Sequence, residues 1–476
     1  MSYLNLRDSA VAIKKQKRVA LGSLAVIATI VSTATGAQAG DLPVKIPVDY
    51  VKICKEYGPN FIYVPSLPGL AGVGGTCLRI GGFARSDSYT GNTTRGSDIG
   101  VINSGLKLGQ SVQAKNQVAE TVRADFQFDA RTATDWGVLR SYLEFRGDFG
   151  TNSNVGNVNS PAGSITGVPT FTFDKAFIDL AGFHVGRDET QYNFLINTNI
   201  FFQFEAFSEY WVNQFAYTAQ LGNGFTATVS VEDPTTGGTQ KSNATAGGLT
   251  VSRKSGLSFA YGGLDIPDII GALKVSQAWG AAQLSVGYHQ LYETSSTSLG
   301  NVLCSTGPCS GNGYGVQAGV NFNVPLFGPG SKWGVQAAYA VGATGLAYSW
   351  GYQGLGTFAS ADLGADAAVA NGVLQLSREW TIASALEAHI TPTIEFDLVP
   401  SYYVYSNQNT AGPLNYKAFE LGTQIKWTPF GNQSLAIYTD FEYRHITVSD
   451  STVAAGNALF KSADAYIADL RLRRNF

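Results

Sequence analysis

Charged side chains in this chain fall in ladders. From Val122 to Arg131 every even residue is apolar and every odd one is polar or charged, so Arg123, Asp125, Asp129 and Arg131 share one face of an extended segment. Leu139 to Arg146 repeats the pattern and sets Arg140, Glu144 and Arg146 opposite Leu139, Leu143 and Phe145. Ladders of this kind either neutralise one another as a wall or, where water reaches them, attract and sort ions. A second concentration runs from Gln191 to Trp211, where Tyr192, Phe194, Phe201, Phe202, Phe204, Phe207, Tyr210 and Trp211 accompany Glu205 and Glu209. The cysteines form two close pairs, Cys54 with Cys77 and Cys304 with Cys309, which in an exported chain suggests two disulfides. Zinc binding is the weaker reading, because no second Cys-x-x-Cys and no histidine pair at ligand spacing accompanies them; His184, His289, His389 and His445 are widely separated. No metal and no cofactor is expected. Nor is there a Gly-x-Ser-x-Gly, a His-Glu-x-x-His, a Walker A loop or a calcium loop, so the sequence carries no catalytic constellation. The Gly311 to Gly315 stretch lacks the strand-Gly-helix context of a dinucleotide site and reads as a strand entry with a bulge.

Strands must position these ladders. The chain has 476 residues with 55 Gly, 23 Tyr, 27 Phe and a single Met, a composition rich in turn and strand formers and poor in helix fillers. Arg7, Lys14, Lys15, Lys17 and Arg18, an apolar run from Val19 to Val31 and Ala37-Gln38-Ala39 read as a secretory signal peptide over residues 1–39, with an uncleaved anchor helix as the alternative. Residues 40–476 then form one unit, its first part, 40–76, an N-terminal periplasmic segment leading into the first strand. Without residues 1–39 the chain loses five basic residues and one acidic, leaving 27 basic against 34 acidic, a balance that argues against a nucleic-acid partner.

Beyond residue 39 no window reaches 18 uncharged apolar residues, so only a closed barrel could cross a membrane. Alternation recurs in Phe419 to Trp427, Ile437 to Arg444 and Ala468 to Arg473. A soluble β-sandwich also alternates, and the loop lengths break the tie. Strands near 77–88, 118–131, 136–148, 172–181, 183–188, 213–221, 224–233, 269–278, 281–292, 313–325, 332–343, 376–389, 394–406, 415–427, 433–446 and 464–476 number about sixteen. Their connections alternate between short turns (Thr132 to Asp135, Gly222-Asn223, Gly280, Phe327 to Ser331, Pro429 to Asn432) and long polar ones (149–171, 234–268, 344–375). The expected fold is therefore all-β, a sixteen-stranded antiparallel transmembrane barrel with an outer face towards lipid and a lumen too wide for side chains to fill. An Arg or Lys on the lipid face costs about 2–4 kcal/mol, so Arg123, Arg131, Arg140 and Arg146 should face the lumen with Asp125, Asp129 and Glu144. The 191–211 segment either folds into that lumen and narrows it, with Glu205, Glu209 and Asp188 opposite Arg85, Arg123 and Arg140, or forms an extracellular or intersubunit aromatic patch.

Val51-Lys52-Ile53-Cys54, Phe61 to Pro65, Thr76 to Phe83, Asp174 to Asp179, Gly186-Arg187, Ala216-Tyr217, Gly222 to Phe225, Pro267-Asp268, Ala278-Trp279-Gly280 and the terminal Arg473-Arg474-Asn475-Phe476 follow one another in the order of a known family's blocks. Taken together the chain resembles the alphaproteobacterial (rhizobial-type) general porins of the bacterial outer membrane. The resemblance implies a sixteen-stranded barrel assembled as a homotrimer, a constriction loop after the fifth strand, passive diffusion of small hydrophilic solutes, and a terminal Phe476 read by the barrel-assembly machinery. The Gly-rich insertion from Ser66 to Gly75 and the long loops depart from the family pattern, which bears on pore width and selectivity. Two other functions fit a barrel: a substrate-specific channel, for example for sugars, using the same aromatic segment, and a structural or adhesive barrel, which the inward charges argue against.

Overall fold

Period-two alternation puts one set of side chains on each face of a strand, and in this molecule the two faces meet different surroundings. The computed structural model describes residues 54–65, 75–91, 118–150, 170–195, 200, 207–234, 265–292, 310–348, 366–409, 412–431, 434–454 and 461–476. The signal-peptide reading over 1–39, the second cysteine pair Cys304 and Cys309, and Glu205 lie outside the described residues.

The strands are β1 (Ile62–Val64), β2 (Thr76–Gly91), β3 (Val118–Thr134), β4 (Gly137–Gly150), β5 (Thr170–Leu180), β6 (Phe183–Glu189), β7 (Trp211–Gly222), β8 (Phe225–Asp233), β9 (Asp268–Gln277), β10 (Gly280–Tyr292), β11 (Ser310–Asn323), β12 (Lys332–Val341), β13 (Ala367–Ala370), β14 (Val373–Leu376), β15 (Arg378–Thr391), β16 (Ile394–Asn409), β17 (Gly412–Trp427), β18 (Leu435–Val448) and β19 (Ser462–Asn475). Consecutive wall strands pair antiparallel, β12 pairs with β15, and β19 pairs with β2 from Ile467 opposite Gly91 to Asn475 opposite Phe83. The wall is thus a closed barrel of sixteen strands, β2–β12 and β15–β19, as the alternation predicts. Closure removes the free edges that a hydrocarbon environment does not tolerate.

Two small pieces of sheet fall outside the sequence expectation. β13 and β14 form a hairpin of their own within the β12–β15 connection. β1 lies antiparallel to Thr76–Leu78, the stretch of β2 below the last β19 partner, and Cys54–Cys77 ties its flank to that strand. At that end of the barrel the connections are short. Asn223 and Gly224 in the turn after β7 have φ of 50° and 79°, and Ala181 and Gly182 after β5 have 51° and 87°, the positive values that tight hairpins with the twist of their strands require. At the other end the connections are long except at 410–411, where β16 runs into β17 with two residues between.

The outer face carries Ile80, Val122, Phe126, Leu143, Phe215, Ile425, Phe441 and Leu470, all exposed. Trp136, Trp279, Trp333 and Trp427 ring its short-turn end. An apolar band with an aromatic girdle is the surface of a membrane barrel. The buried apolar clusters lie on the opposite, inner face. One joins Tyr192, Tyr210, Val212 and Ile270 to Ala338, Ala340, Ala343, Leu346 and Ala347; another joins Leu195, Ile200 and Phe207 to Ala383, Ala385 and Val399.

Candidate functional site

The inner face of β2, β3, β4 and β19 is dense with arginine. Opposite the exposed Val122 and Phe126, the odd residues of β3 point inward. Arg123 Nε donates to Asp148 Oδ1 at 2.5 Å across the β3–β4 pair. Asp129 serves three guanidinium groups: Arg131 Nη2 at 2.8 Å, Arg140 Nε at 3.1 Å and Arg79 Nη2 at 3.5 Å. Arg140 also reaches Asp179 at 3.3 Å. Arg146 spans Asp174 at 2.5 Å, Glu144 at 3.5 Å and Asp125 at 3.8 Å. Arg85 donates to Asp87 at 2.7 Å, and the other oxygen of Asp87 accepts from Arg471 Nε at 2.6 Å. Asp188 pairs with Lys175 Nζ at 2.9 Å. Two carboxylates serve more than one arginine, Asp129 joining Arg79, Arg131 and Arg140 and Asp87 joining Arg85 and Arg471, so the ladder is a set of linked ion pairs in which Arg131, Arg140 and Arg146 stay partly exposed.

A ring-lined corner closes the short-turn end of this wall. Arg131 lies over the rings of Tyr57 and Phe61 at 5.7 and 5.0 Å, and Arg79 over Phe61 at 5.3 Å. Partial burial there, with Glu56 beside it, raises the Tyr57 phenol above its ordinary range against the pull of Arg131.

The segment after β6 turns inward and crosses to the far wall. At its base, Thr190 Oγ1 and Tyr210 Oη both donate to Glu232, and the Gln191 N–H donates to the same carboxylate at 3.1 Å. Further in, the Tyr192 carbonyl accepts from Ser285 Oγ at 2.9 Å and Gln317 Nε2 at 2.8 Å. The Phe194 N–H donates to Gln336 Oε1 at 3.2 Å, and its carbonyl accepts from Asn321 Nδ2 at 2.9 Å. Irregular backbone inside a barrel must find partners for its amides, and short neutral side chains of β10, β11 and β12 supply them. Lys274 stands over the Phe194 ring at 5.5 Å. Glycines clear the ground: a Cβ on Gly315 would meet Leu346 Cβ at 2.7 Å and Tyr192 Oη at 3.0 Å, and one on Gly319 would meet Phe194 at 2.9 Å. The Gly311 to Gly315 run is therefore regular strand in unbroken register rather than a bulge; its glycines admit neighbours packed on the inner face.

A second inward piece follows β12. Residues 342–348 leave the wall, and the Ser208 hydroxyl donates to the Gly345 carbonyl at 3.0 Å, joining the two inward pieces. Tyr348 Oη donates to Glu420 at 3.2 Å and accepts from Arg444 Nη2 at 2.6 Å, while Arg444 Nε lies 2.6 Å from Glu420 Oε1, all three buried. The sequence reads 344–375 as one of the long polar connections, yet its first residues are core. Leu346, Ala347 and Tyr348 are fully buried, and Leu346 fills the space that Gly287 and Gly315 leave.

Sequence reasoning picks Arg85, Arg123, Arg140, Asp125, Asp129, Arg131, Glu144 and Arg146, and the structure gathers them on the adjoining strands β2–β4. Glu209 is buried in the inward segment, and each of those arginines has an acidic partner on the wall itself. Missed were Asp87, Asp148, Asp174, Asp179, Arg471 and Arg473 on the same face, and Glu379, Asp397, Glu420, Asp440, Glu442 and Arg444 on β15–β18. The parity that finds Arg123 finds these as well when it is carried around the ring.

Residues 41–466 match the model of the porin subfamily. Porin Omp2b of Brucella canis is 27% identical over 293 residues, covering 58% of this chain and 67% of the relative. Porin Omp2a of Brucella suis biovar 1 is 27% identical over 308 residues, covering 60% and 69%. Among solved structures, the outer membrane channel DcaP of Acinetobacter baumannii superposes with a TM-score of 0.57 at 14% identity, covering 87% of this chain and all of that one.

Proposed function

The chain belongs to the porin subfamily and is an outer-membrane channel for small solutes, and from that premise we propose that it is a passive, cation-preferring pore narrowed by its own inward segment. The observation that carries this is the seating of Tyr192–Leu195 on the far wall, held by Ser285, Gln317, Asn321 and Gln336. A segment that crosses from β6 to β10–β12 takes cross-section from the lumen. It leaves the arginine strands β2–β4 as the opposing side, with Glu209 and Asp188 carried at the segment's two ends.

Selectivity is decided by charges near the narrowest section, not by the net charge of the chain. Around the inner face the arginines are paired with carboxylates, while β15–β18 add Glu379, Glu387, Glu395, Asp397, Asp440 and Glu442 against Lys426 and Arg444. The balance is acidic, which favours cations. Three copies assembling through the apolar outer face is part of the same reading. Single-channel recording in planar bilayers tests it. Stepwise conductance in groups of three, unaffected by added sugars, with a reversal potential in a potassium chloride gradient on the cation side, is expected. An anion-side reversal potential overturns the selectivity, sugar-dependent block overturns the general-diffusion reading, and steps without threefold grouping overturn the trimer.

A further inference from the structure

At the short-turn end of β15 and β16 the hairpin presents Glu387 and His389 on one strand and Glu395 and Asp397 on the other. They form two cross-strand pairs in register, Glu387 with Asp397 and His389 with Glu395, all on the inner face. His389 Nε2 lies 3.0 Å from Glu387 Oε1, and His389 Nδ1 lies 3.7 Å from Glu395 Oε2. One ligand atom from each of Glu387, His389 and Glu395 falls within 4.8 Å of the others. We propose that this hairpin is a binding site for a first-row divalent cation of the zinc type, with Glu387, His389 and Glu395 as ligands and Asp397 as a third carboxylate behind them.

Three arguments converge. Like charges directly opposite one another on a sheet face destabilise it, yet Glu387 faces Asp397 across the ladder. Asp397 is fully buried with neither carboxyl oxygen hydrogen-bonded, so a buried, unsatisfied ligand group lies directly across the ladder from Glu387. Lys426 reaches Glu395 at 3.0 Å, one ammonium beside three carboxyl groups. The donor set selects the metal: one imidazole with carboxylates suits zinc, copper or nickel, whereas magnesium and calcium take oxygen ligands. Ligand atoms around a tetrahedral zinc lie roughly 3.4 Å apart, about 2.1 Å each from the ion, so small side-chain rotations close the set. Partly exposed, His389 and Glu387 leave the ion a way in from the lumen. Sequence spacing conceals the site, because its histidine has no second histidine partner; a Glu-x-His and a Glu-x-Asp separated by five residues, which hold the strand ends and their turn, are its linear signature.

The test is equilibrium dialysis of the purified full-length barrel in detergent, stripped by chelator, against zinc chloride with excess magnesium. One zinc per chain is expected, with affinity falling by at least about tenfold in His389→Gln and in Glu387→Gln, the scale of disturbing a metal site's immediate surroundings. Lys426→Gln should bind zinc more tightly, since it frees Glu395 and removes a competing cation; a purely structural role for the cluster does not produce that gain. Heat-modifiable gel mobility verifies that each variant is a folded barrel. No zinc bound by the wild type, binding unchanged in His389→Gln, or Lys426→Gln binding no tighter each overturns the proposal. Because dialysis reads binding without conductance, its result is independent of the selectivity reading.

Discussion

At the scale of single residues, the informative side chains are charges that a barrel buries between its wall and the pieces folded against it. Arg444 is fully buried, and its charge is met by Glu420, which also accepts from Ser401 at 2.9 Å and from Tyr348. Removing one partner of a buried pair leaves the other uncompensated, at a cost of about 3–5 kcal/mol, far above the roughly 0–1 kcal/mol of an exposed pair. Glu420→Ala is therefore expected to lower stability by that larger amount in urea titrations of the folded barrel. Asp464→Ala, whose His445 partner is exposed, is expected to change it by no more than about 1 kcal/mol. Equal effects of the two substitutions contradict this ranking. Alternation announces that Glu420 and Arg444 point inward. It is silent about Tyr348, whose loop brings it to them from far along the chain.

The elements divide into those whose sequence period determines them and those whose place depends on a surface they meet only after folding. Wall strands belong to the first kind: 118–131 and 394–406 read from alternation correspond to β3 and β16 with ends a few residues longer. Inward pieces belong to the second. Aromatic richness marks 191–211 as unsuited to water, but its direction follows from the amides of β10–β12 and the glycines at 315 and 319, a match between distant strands that no local pattern records. The docking has graded consequences. The Tyr192 carbonyl has two principal donors and a longer third, Gln283 Nε2 at 3.4 Å, so Gln317→Ala alone leaves it satisfied by Ser285, whereas the double variant with Ser285→Ala leaves it only the long contact, at a cost of up to about 1–3 kcal/mol. Single-channel current noise should rise little in the first variant and markedly in the second. The N-terminal corner is held differently. β1 makes three residue pairings with β2, and the Cys54–Cys77 link spans 23 residues, so closing that loop contributes about 3 kcal/mol to keeping β1 in place. Cys54→Ser should make the segment before Thr76 sensitive to protease while the barrel keeps its heat-resistant mobility.

For the whole molecule, closing the ring is the step with the greatest entropic demand, because β2 and β19 bring together residues from opposite ends of the chain. The sequence foretells that they meet only through the demand that no edge remain open. How they meet is a property of the folded seam. Asp87 accepts from Arg471 Nε at 2.6 Å across 384 residues and from Arg85 beside it; Arg473 lies over the Phe83 ring at 3.9 Å; and the Gly82 and Phe476 backbones exchange hydrogen bonds at 3.2 and 3.0 Å. Gly82 is required there, since a Cβ would sit 2.1 Å from the Asp125 carbonyl. Contacts of such long separation form late, because their loop-closure entropy is met only when the intervening strands are in place. Weakening the seam should therefore slow the final step of folding more than weakening a neighbouring hairpin does. In refolding from urea into detergent, followed by the appearance of the heat-modifiable band, Asp87→Ala and deletion of Phe476 are expected to delay the closed form. Asp148→Ala, which breaks an equally buried pair within the local β3–β4 hairpin, should mainly speed unfolding. If Asp148→Ala slows closure as much as Asp87→Ala, hairpin formation limits the rate and the seam does not.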